Sequence, residues 1–237
     1  MGKRLHLPMD FASFRAGCGL TGQAKPNVRK TSRHTIALQG YLTLQPNEPP
    51  VKLIAAASPV LNKWSSGWYI FGAQAVLIWG QPRQTADVDV TIRLRPEDAL
   101  PFWREMEAAG FKLRVSEPED FIARTRVMPF IHLETGMPLD VVLAGPGLEN
   151  IFLQRVVRIR EAGLELPVAS AEDIVIMKVL AGRPKDIGDV RSILQQRIET
   201  LDFAYIREML AMLEGALDQS DLLRSLEAEL KRIRGGQ

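Results

Sequence analysis

Two aspartates separated by a single residue are the clearest candidates for chemistry in this 237-residue chain. Asp87 and Asp89 lie at the start of Val88–Ile92, where polar and apolar residues alternate as in a half-buried strand. Residues i and i+2 of a strand point to the same face, so both carboxylates project into one site. Their repulsion favours a bound cation, and Mg²⁺ prefers carboxylate oxygens together with substrate phosphates. The alternative is that the pair is only the exposed face of an edge strand.

A glycine turn upstream of this pair is a candidate anion site. Gly72 and Ala73 follow the β-prone run 68–71 and open a helix-prone segment at 73–79. A strand–glycine–helix turn exposes the first N–H groups of a helix, and these groups suit a triphosphate. Glycine also lets the backbone approach a ligand closely. Taken alone, Gly72 is more simply interpreted as part of an ordinary tight turn.

An isolated acid and an isolated lysine occur in apolar surroundings. Asp140 lies in a strand-like run at 139–143, where a buried acid is costly without a partner. The interval from Asp89 leaves room for a helix and a returning strand, so Asp140 either lies beside the first pair or caps the end of a strand. Lys178 lies in the apolar helix predicted at 174–181, so its ammonium either reaches water or meets an anion, and we favour the anion.

A second acidic pair follows Lys178 in the sequence. Asp186 and Asp189 are three residues apart and so share one face of a helix. They either orient Lys178 or an arginine, or only cap and solvate that helix.

The elements that must position these residues can be read from periodicity. We predict helices at 52–65 (interrupted at Pro59), 73–79 and 96–109, and strands at 68–71, 88–92, 127–134 and 139–143. Thr135-Gly136 is typical of a hairpin between the last two strands. Ser170 and Asp173 form a capping box that opens a helical region, with helices predicted at 174–181, 186–197, 203–215 and 219–233. The pattern predicts an α/β (α+β) fold in which a mixed sheet is followed by helices.

Composition divides the chain into three parts and excludes several classes of protein. Residues 1–50 carry seven lysines and arginines against two acidic residues, and we predict a basic, flexible arm, with the core at 51–166 and a helical domain at 167–237. One cysteine and three histidines exclude a disulfide and make a cysteine or histidine metal site improbable. The sequence has no apolar run long enough for a membrane helix and no signal peptide pattern, so we expect a cytoplasmic protein without a membrane partner.

The motifs together resemble those of the DNA polymerase β-type nucleotidyltransferase superfamily, and within it those of the AbiEii-like nucleotidyltransferase toxins most closely. The resemblance covers roughly residues 67–195 and rests on a glycine turn, an Arg-x-Thr-x-Asp-x-Asp stretch, an isolated acid and a Lys…Arg-x-Lys-Asp-x-x-Asp pattern. In this chain these are Gly72-Ala73, Arg83 to Asp89, Asp140 and Lys178 to Asp189. The usual first motif there is Gly-Gly or Gly-Ser. Ala73 therefore removes any hydroxyl contact to phosphate but keeps the backbone contact.

The resemblance implies a nucleotidyltransferase core that uses Mg²⁺ or Mn²⁺ to move NMP from an NTP to a hydroxyl, with release of pyrophosphate. The implied metal ligands are Asp87, Asp89 and Asp140, which with Lys178 form the catalytic set. Asp87 and Asp89 are expected to hold two magnesium ions about 4 Å apart, and Asp140 to bind the second ion and help to deprotonate the hydroxyl. The implied nucleotide-binding residues are Gly72, Ala73, Arg83, Thr85, Lys178 and Arg183. An RNA such as tRNA, or a protein, is the implied acceptor, and an antitoxin is an implied partner.

Two other functions remain open from the sequence. A glycosyltransferase could use the Asp-x-Asp pair to hold a sugar nucleotide through a metal, although it would need neither Gly72 nor Asp140. A catalytically silent nucleotide- or RNA-binding module could keep the same fold. Titration with nucleotide and Mg²⁺ distinguishes binding from no binding, and transfer assays distinguish the two enzymes.

Overall fold

The computed structural model describes residues 47–81, 85–218 and 220–235. Its strands are β1 (Trp68–Phe71), β2 (Val88–Ile92), β3 (Phe111–Leu113), β4 (Val127–His132), β5 (Pro138–Leu143), β6 (Val157–Glu161) and β7 (Leu164–Val168). Its helices are α1 (Pro49–Trp64), α2 (Gly72–Trp79), α3 (Ala99–Ala108), α4 (Pro118–Thr125), α5 (Leu148–Gln154), α6 (Ala171–Ala181), α7 (Pro184–Arg197), α8 (Phe203–Leu217) and α9 (Leu222–Gly235). A short 3-10 turn at Pro96–Asp98 leads into α3.

The described strands form one mixed sheet in the order β3-β4-β5-β2-β1-β7-β6. Strand β2 pairs antiparallel with β1 and parallel with β5, so it lies near the middle of the sheet. Strands β4 and β5 form the hairpin predicted at Thr135-Gly136, and Gly136 has the positive φ of +65° that suits a tight turn. The mixed α/β fold class predicted from periodicity is confirmed.

Helix α1 corrects one prediction, because it continues through Pro59 instead of breaking there. Proline removes one backbone hydrogen bond and usually kinks a helix. Here Pro59 lies on the exposed side, while residues on the opposite side are buried in the core, among them Leu53, Ala57 and Leu61. Burial of this apolar face therefore keeps the helix continuous.

Helices α6 to α9 follow the sheet and pack on one another and on α2. The capping box is confirmed: the hydroxyl of Ser170 accepts a hydrogen bond of 3.1 Å from the backbone N–H of Asp173. Helix α6 is buried on nearly all sides and packs against α2, α7 and α8. This packing places α6 and α7 against α2, the helix that follows β1.

The two domain boundaries predicted from the sequence, after residue 50 and after residue 166, fall within α1 and β7. Helix α1 begins at Pro49, and the residues before 47 lie outside the described part of the chain. Strand β7 pairs with β1 through Ile70 and Val168, so the sheet continues to the start of the helical region. Among the described helices, none is both long enough and apolar enough to cross a membrane.

Candidate functional site

The register of the sheet places Asp89 directly beside Asp140. Strands β2 and β5 run parallel, and Asp89 on β2 pairs with Asp140 on β5. Paired residues on neighbouring strands point to the same face, and the strands lie about 4.8 Å apart. The structure therefore brings together two carboxylates that are far apart in the sequence, which is the first of the two positions considered for Asp140.

Asp87 lies just before β2, two residues from Asp89, and is held by local hydrogen bonds. The hydroxyl of Thr85 donates to Oδ1 of Asp87 at 2.9 Å. The buried amide of Gln74 lies 3.4 Å from the carbonyl oxygen of Asp87, which links the start of α2 to this segment. Thr85, predicted to bind nucleotide, thus contacts Asp87 in the structure.

Gly72 lies against the carboxylate of Asp89. In the sheet, Phe71 is the residue opposite Asp89, so the turn into α2 passes directly over this side chain. Gly72 has a φ of +63°, and a Cβ atom there would overlap the carboxylate, lying 2.8 Å from its Cγ and 3.1 Å from its Cβ. The glycine is therefore required both by the backbone conformation and by the approach of Asp89. Ala73, the next residue, is buried in α2.

The acidic residues of the site influence one another. The pKa of Asp89 is raised to about 7, mainly by burial and also by the negative charges of Asp87 and Asp140, while the positive charges of Lys178 and Lys185 act in the opposite direction. Burial also raises the pKa of Asp140, although its ion pair with Arg114 acts in the opposite direction. A bound cation would relieve this repulsion.

Asp87 and Asp89 suit a metal ion better as a pair than together with Asp140 as a set of three ligands. In residues 47–81, 85–218 and 220–235, no group of three or more His, Cys, Asp or Glu side chains is placed to hold a metal ion. Asp87 and Asp89 supply the one or two carboxylates with which proteins usually bind Mg²⁺ that also contacts substrate phosphates. The pair therefore fits a cation that arrives with a nucleotide.

Arg114 is a site residue that sequence reasoning missed. It follows β3, reaches across β4 and donates from Nη2 to Oδ1 of Asp140. A charged residue at the end of a short strand is common, and nothing in the local pattern around Arg114 connects it with Asp140. The contact depends on the order β3-β4-β5 in the sheet.

Lys178 meets anions of the protein itself. Its ammonium lies 2.8 Å from Oδ1 of Asp186 and 2.8 Å from Oδ2 of Asp189, and its side chain is only 10% exposed. Although burial acts to raise the pKa of Asp186, hydrogen bonds from Arg183 and Lys178 lower it. Of the two roles considered for Asp186 and Asp189, orienting Lys178 is the one that matches these contacts.

Arg83 and Arg183 are the two arginines predicted to bind the nucleotide. The guanidinium of Arg183 donates to both carboxylate oxygens of Asp186, with a distance of 3.3 Å from Nη2 to Oδ1, and its side chain is 41% exposed. Arg83 lies outside the described residues. The structure thus gathers Gly72, Ala73, Thr85, Asp87, Asp89 and Asp140 at the end of the sheet beside α2, while Lys178 and Arg183 form an ion cluster with α7.

A sequence comparison matches residues 53–226 to a family described as nucleotidyltransferase of unknown function (DUF6036). This match spans more than half of the chain. No protein with a curated description matches the sequence.

Similar solved structures have low sequence identity. The antibiotic-resistance factor ANT(2'')-Ia is 15% identical with a TM-score of 0.46, and the alignment covers 78% of this chain and 95% of that one. An antigenic nucleotidyltransferase-like protein from Paracoccidioides brasiliensis is 17% identical with a TM-score of 0.47, covering 76% and 91%. The lincosamide antibiotic adenylyltransferase LnuA is 16% identical with a TM-score of 0.41, covering 60% and 96%.

Proposed function

The chain belongs to the DUF6036 family of nucleotidyltransferases, and we propose that it is a cytoplasmic enzyme that transfers NMP from an NTP to a hydroxyl group of an RNA or a protein. The observation that carries the proposal is the pairing of Asp89 with Asp140 across two strands, with Gly72 packed against Asp89. These contacts join a carboxylate cluster to the beginning of a helix. An NTP needs both features, because its phosphates require a cation and N–H donors.

The NTP would lie with its phosphates at the turn into α2. The first backbone N–H groups of α2 point out of the helix and can donate to the phosphates. Asp87 and Asp89 would hold Mg²⁺ or Mn²⁺ with the nucleotide. This ion would neutralise the triphosphate and orient it for in-line attack.

The reaction would occur at the α-phosphorus. The acceptor oxygen forms a bond to this phosphorus while the bond to the bridging oxygen of pyrophosphate breaks, so NMP remains on the acceptor. Asp140, which pairs with Asp89 between β2 and β5, would accept the hydroxyl proton. Lys178 is held by Asp186 and Asp189, and its positive charge lowers the pKa of Asp89. It would offset the negative charge that builds on the leaving pyrophosphate.

The proposal also names an acceptor and a biological role. The resemblance to AbiEii-like toxins supports an RNA acceptor such as tRNA, or a protein, and a cognate antitoxin that silences the enzyme. The basic composition of residues 1–50 is compatible with RNA, because lysine and arginine side chains bind phosphates. ATP is the first nucleotide to test.

Labelled NTPs incubated with total RNA and with cell lysate test the proposal directly. We expect label in RNA or protein with the wild-type chain, and a loss of about a thousandfold or more in rate with Asp87→Asn or Asp89→Asn. Asparagine keeps the shape and removes the charge, so the fold should survive. Asp120→Asn changes an exposed acid on α4 in the same way and should keep full activity.

The same assay separates the two alternatives. A catalytically silent module would bind NTP and Mg²⁺ in a calorimetric titration but leave no label on any acceptor. A glycosyltransferase would transfer sugar from a sugar nucleotide and would tolerate loss of Asp140. Wild-type transfer by the Asp89→Asn variant at saturating Mg²⁺ would refute the proposed role of the pair.

A further inference from the structure

The guanidinium of Arg114 is anchored at several points before it reaches Asp140. Its backbone N–H donates to the carbonyl of Pro129 at 2.8 Å, and Nε donates to the carbonyl of Phe130 at 3.0 Å. Pro129 is the residue that pairs with Asp140 between β4 and β5. The arginine is therefore fixed along β4, and its Nη2 donates to Oδ1 of Asp140.

The contact lies at the border between the site and solvent, because Arg114 is an exposed residue and Asp140 is partly buried. The side chain of Arg114 is 32% exposed and that of Asp140 only 15%. A charge-assisted hydrogen bond of this kind is stronger than a neutral one. Arg114 thus keeps a positive charge next to Asp140, the third carboxylate of the site.

The charges around the site are consistent with a single divalent cation. Lys178 and Arg183 are balanced by Asp186 and Asp189, with which they form ion pairs. Of the three carboxylates of the site, Asp140 is already paired with Arg114, so Asp87 and Asp89 are the two that remain for a divalent ion. A second divalent ion at Asp140 would compete with a guanidinium that the backbone of β4 holds in place.

We propose that Arg114 takes the place of a second metal ion: it holds Oδ1 of Asp140, so that the site binds one divalent cation, on Asp87 and Asp89, together with the nucleotide. This proposal rests on the proposed function. Arg114 is a positioning residue that acts through Asp140. By holding Oδ1 it leaves Oδ2 for the hydroxyl of the acceptor.

The number of bound ions is the first test, and it requires no turnover. Mn²⁺ binding is counted by electron paramagnetic resonance with wild-type protein and saturating NTP analogue in which a methylene group replaces the α,β-bridging oxygen. We expect one Mn²⁺ per chain. Two Mn²⁺ ions would overturn the proposal and leave the proposed function intact. If the chain binds neither the analogue nor Mn²⁺, the proposed function fails, and this proposal fails with it.

Substitution of Arg114 is the second test. We expect Arg114→Gln to lower the single-turnover transfer rate about 10- to 100-fold, as for other residues that orient a ligand group, while the nucleotide Kd changes less than about threefold. Arg114→Lys keeps the charge and should recover part of the loss. Arg158→Gln removes an arginine from an exposed ion pair with Glu165 on the far edge of the sheet and should change neither value.

Thermal melts of each variant distinguish a loss of fold from a loss of positioning. If Arg114→Gln does not fold, the transfer rate of Arg114→Lys and the number of bound Mn²⁺ ions still test the proposal. A wild-type rate in Arg114→Gln, or an Arg114→Lys variant no faster than Arg114→Gln, would overturn the role of this charge.

Discussion

Replacing Gly72 by alanine should damage the site through two separable effects. The first is conformational, because an L-residue at a φ of +63° costs about 1–2 kcal/mol of stability. The second is steric, because the new Cβ would overlap the carboxylate of Asp89, whose Cγ would lie only 2.8 Å away. Asp89 must then turn or the β1–α2 connection must shift.

The structure provides a control for the first effect alone. Gly136, in the β4–β5 turn, has nearly the same φ of +65°, and no atom lies within 4 Å of the position that a Cβ would take there. Gly136→Ala should therefore lose only the conformational contribution of about 1–2 kcal/mol. Gly72→Ala should lose more stability than Gly136→Ala, and because a displacement of about 1 Å at a reacting group costs about a hundredfold in rate, it should also lose at least that much transfer activity.

Urea unfolding and single-turnover transfer measure the two quantities on the same preparations. The double variant Gly72→Ala/Asp89→Ala removes the overlapping carboxylate atoms, so its loss of unfolding free energy should be smaller than the sum of the two single losses. Equal stability losses in Gly72→Ala and Gly136→Ala, with strictly additive energies and wild-type transfer, would refute the argument. Gly72 would then be an ordinary turn glycine.

Two further predictions concern buried charges. Lys178→Met removes a cation from the buried carboxylates Asp186 and Asp189 and should lower the free energy of unfolding in urea at pH 7 by about 3–5 kcal/mol. The control Lys185→Met changes an exposed lysine and should not lower it. Equal urea midpoints of the two variants would contradict this prediction. Burial raises the pKa of Asp173 to about 7, so the folded chain holds a proton between about pH 4 and pH 7 that the unfolded chain releases, and stability from this group is lost as pH rises through that window. Asp173→Asn should therefore make the unfolding free energy fall less between pH 5 and pH 7, by up to about 1.4 kcal/mol per pH unit, and an unchanged slope would show that Asp173 is ionised throughout.

Periodicity in the sequence predicted the elements that carry the first part of the site. Strand β2 has the predicted bounds 88–92, and β1 and α2 begin within one residue of their predicted positions. The reason is that alternation and the glycine turn are local properties of the backbone. The same holds for the capping box at Ser170, where the cap and its partner are three residues apart.

Several elements of the fold were not predicted from the sequence. Strands β3, β6 and β7 and helices α4 and α5 were not predicted. Strand β3 has three residues, too few for a period to be recognised. Strands β6 and β7, at one edge of the sheet beside β1, have alternating residues on either side of Gly163, so this hairpin could have been predicted from the sequence.

The sequence by itself determined that Asp87 and Asp89 share a face, and it marked Asp140 and Lys178 as charges that needed partners. Only the tertiary structure decided who those partners are. Asp140 meets Asp89 through the β2–β5 register and Arg114 across β4, and Lys178 meets the acids of α7. Local spacing carries no information about such contacts, because they form between segments that only strand order and helix packing bring together.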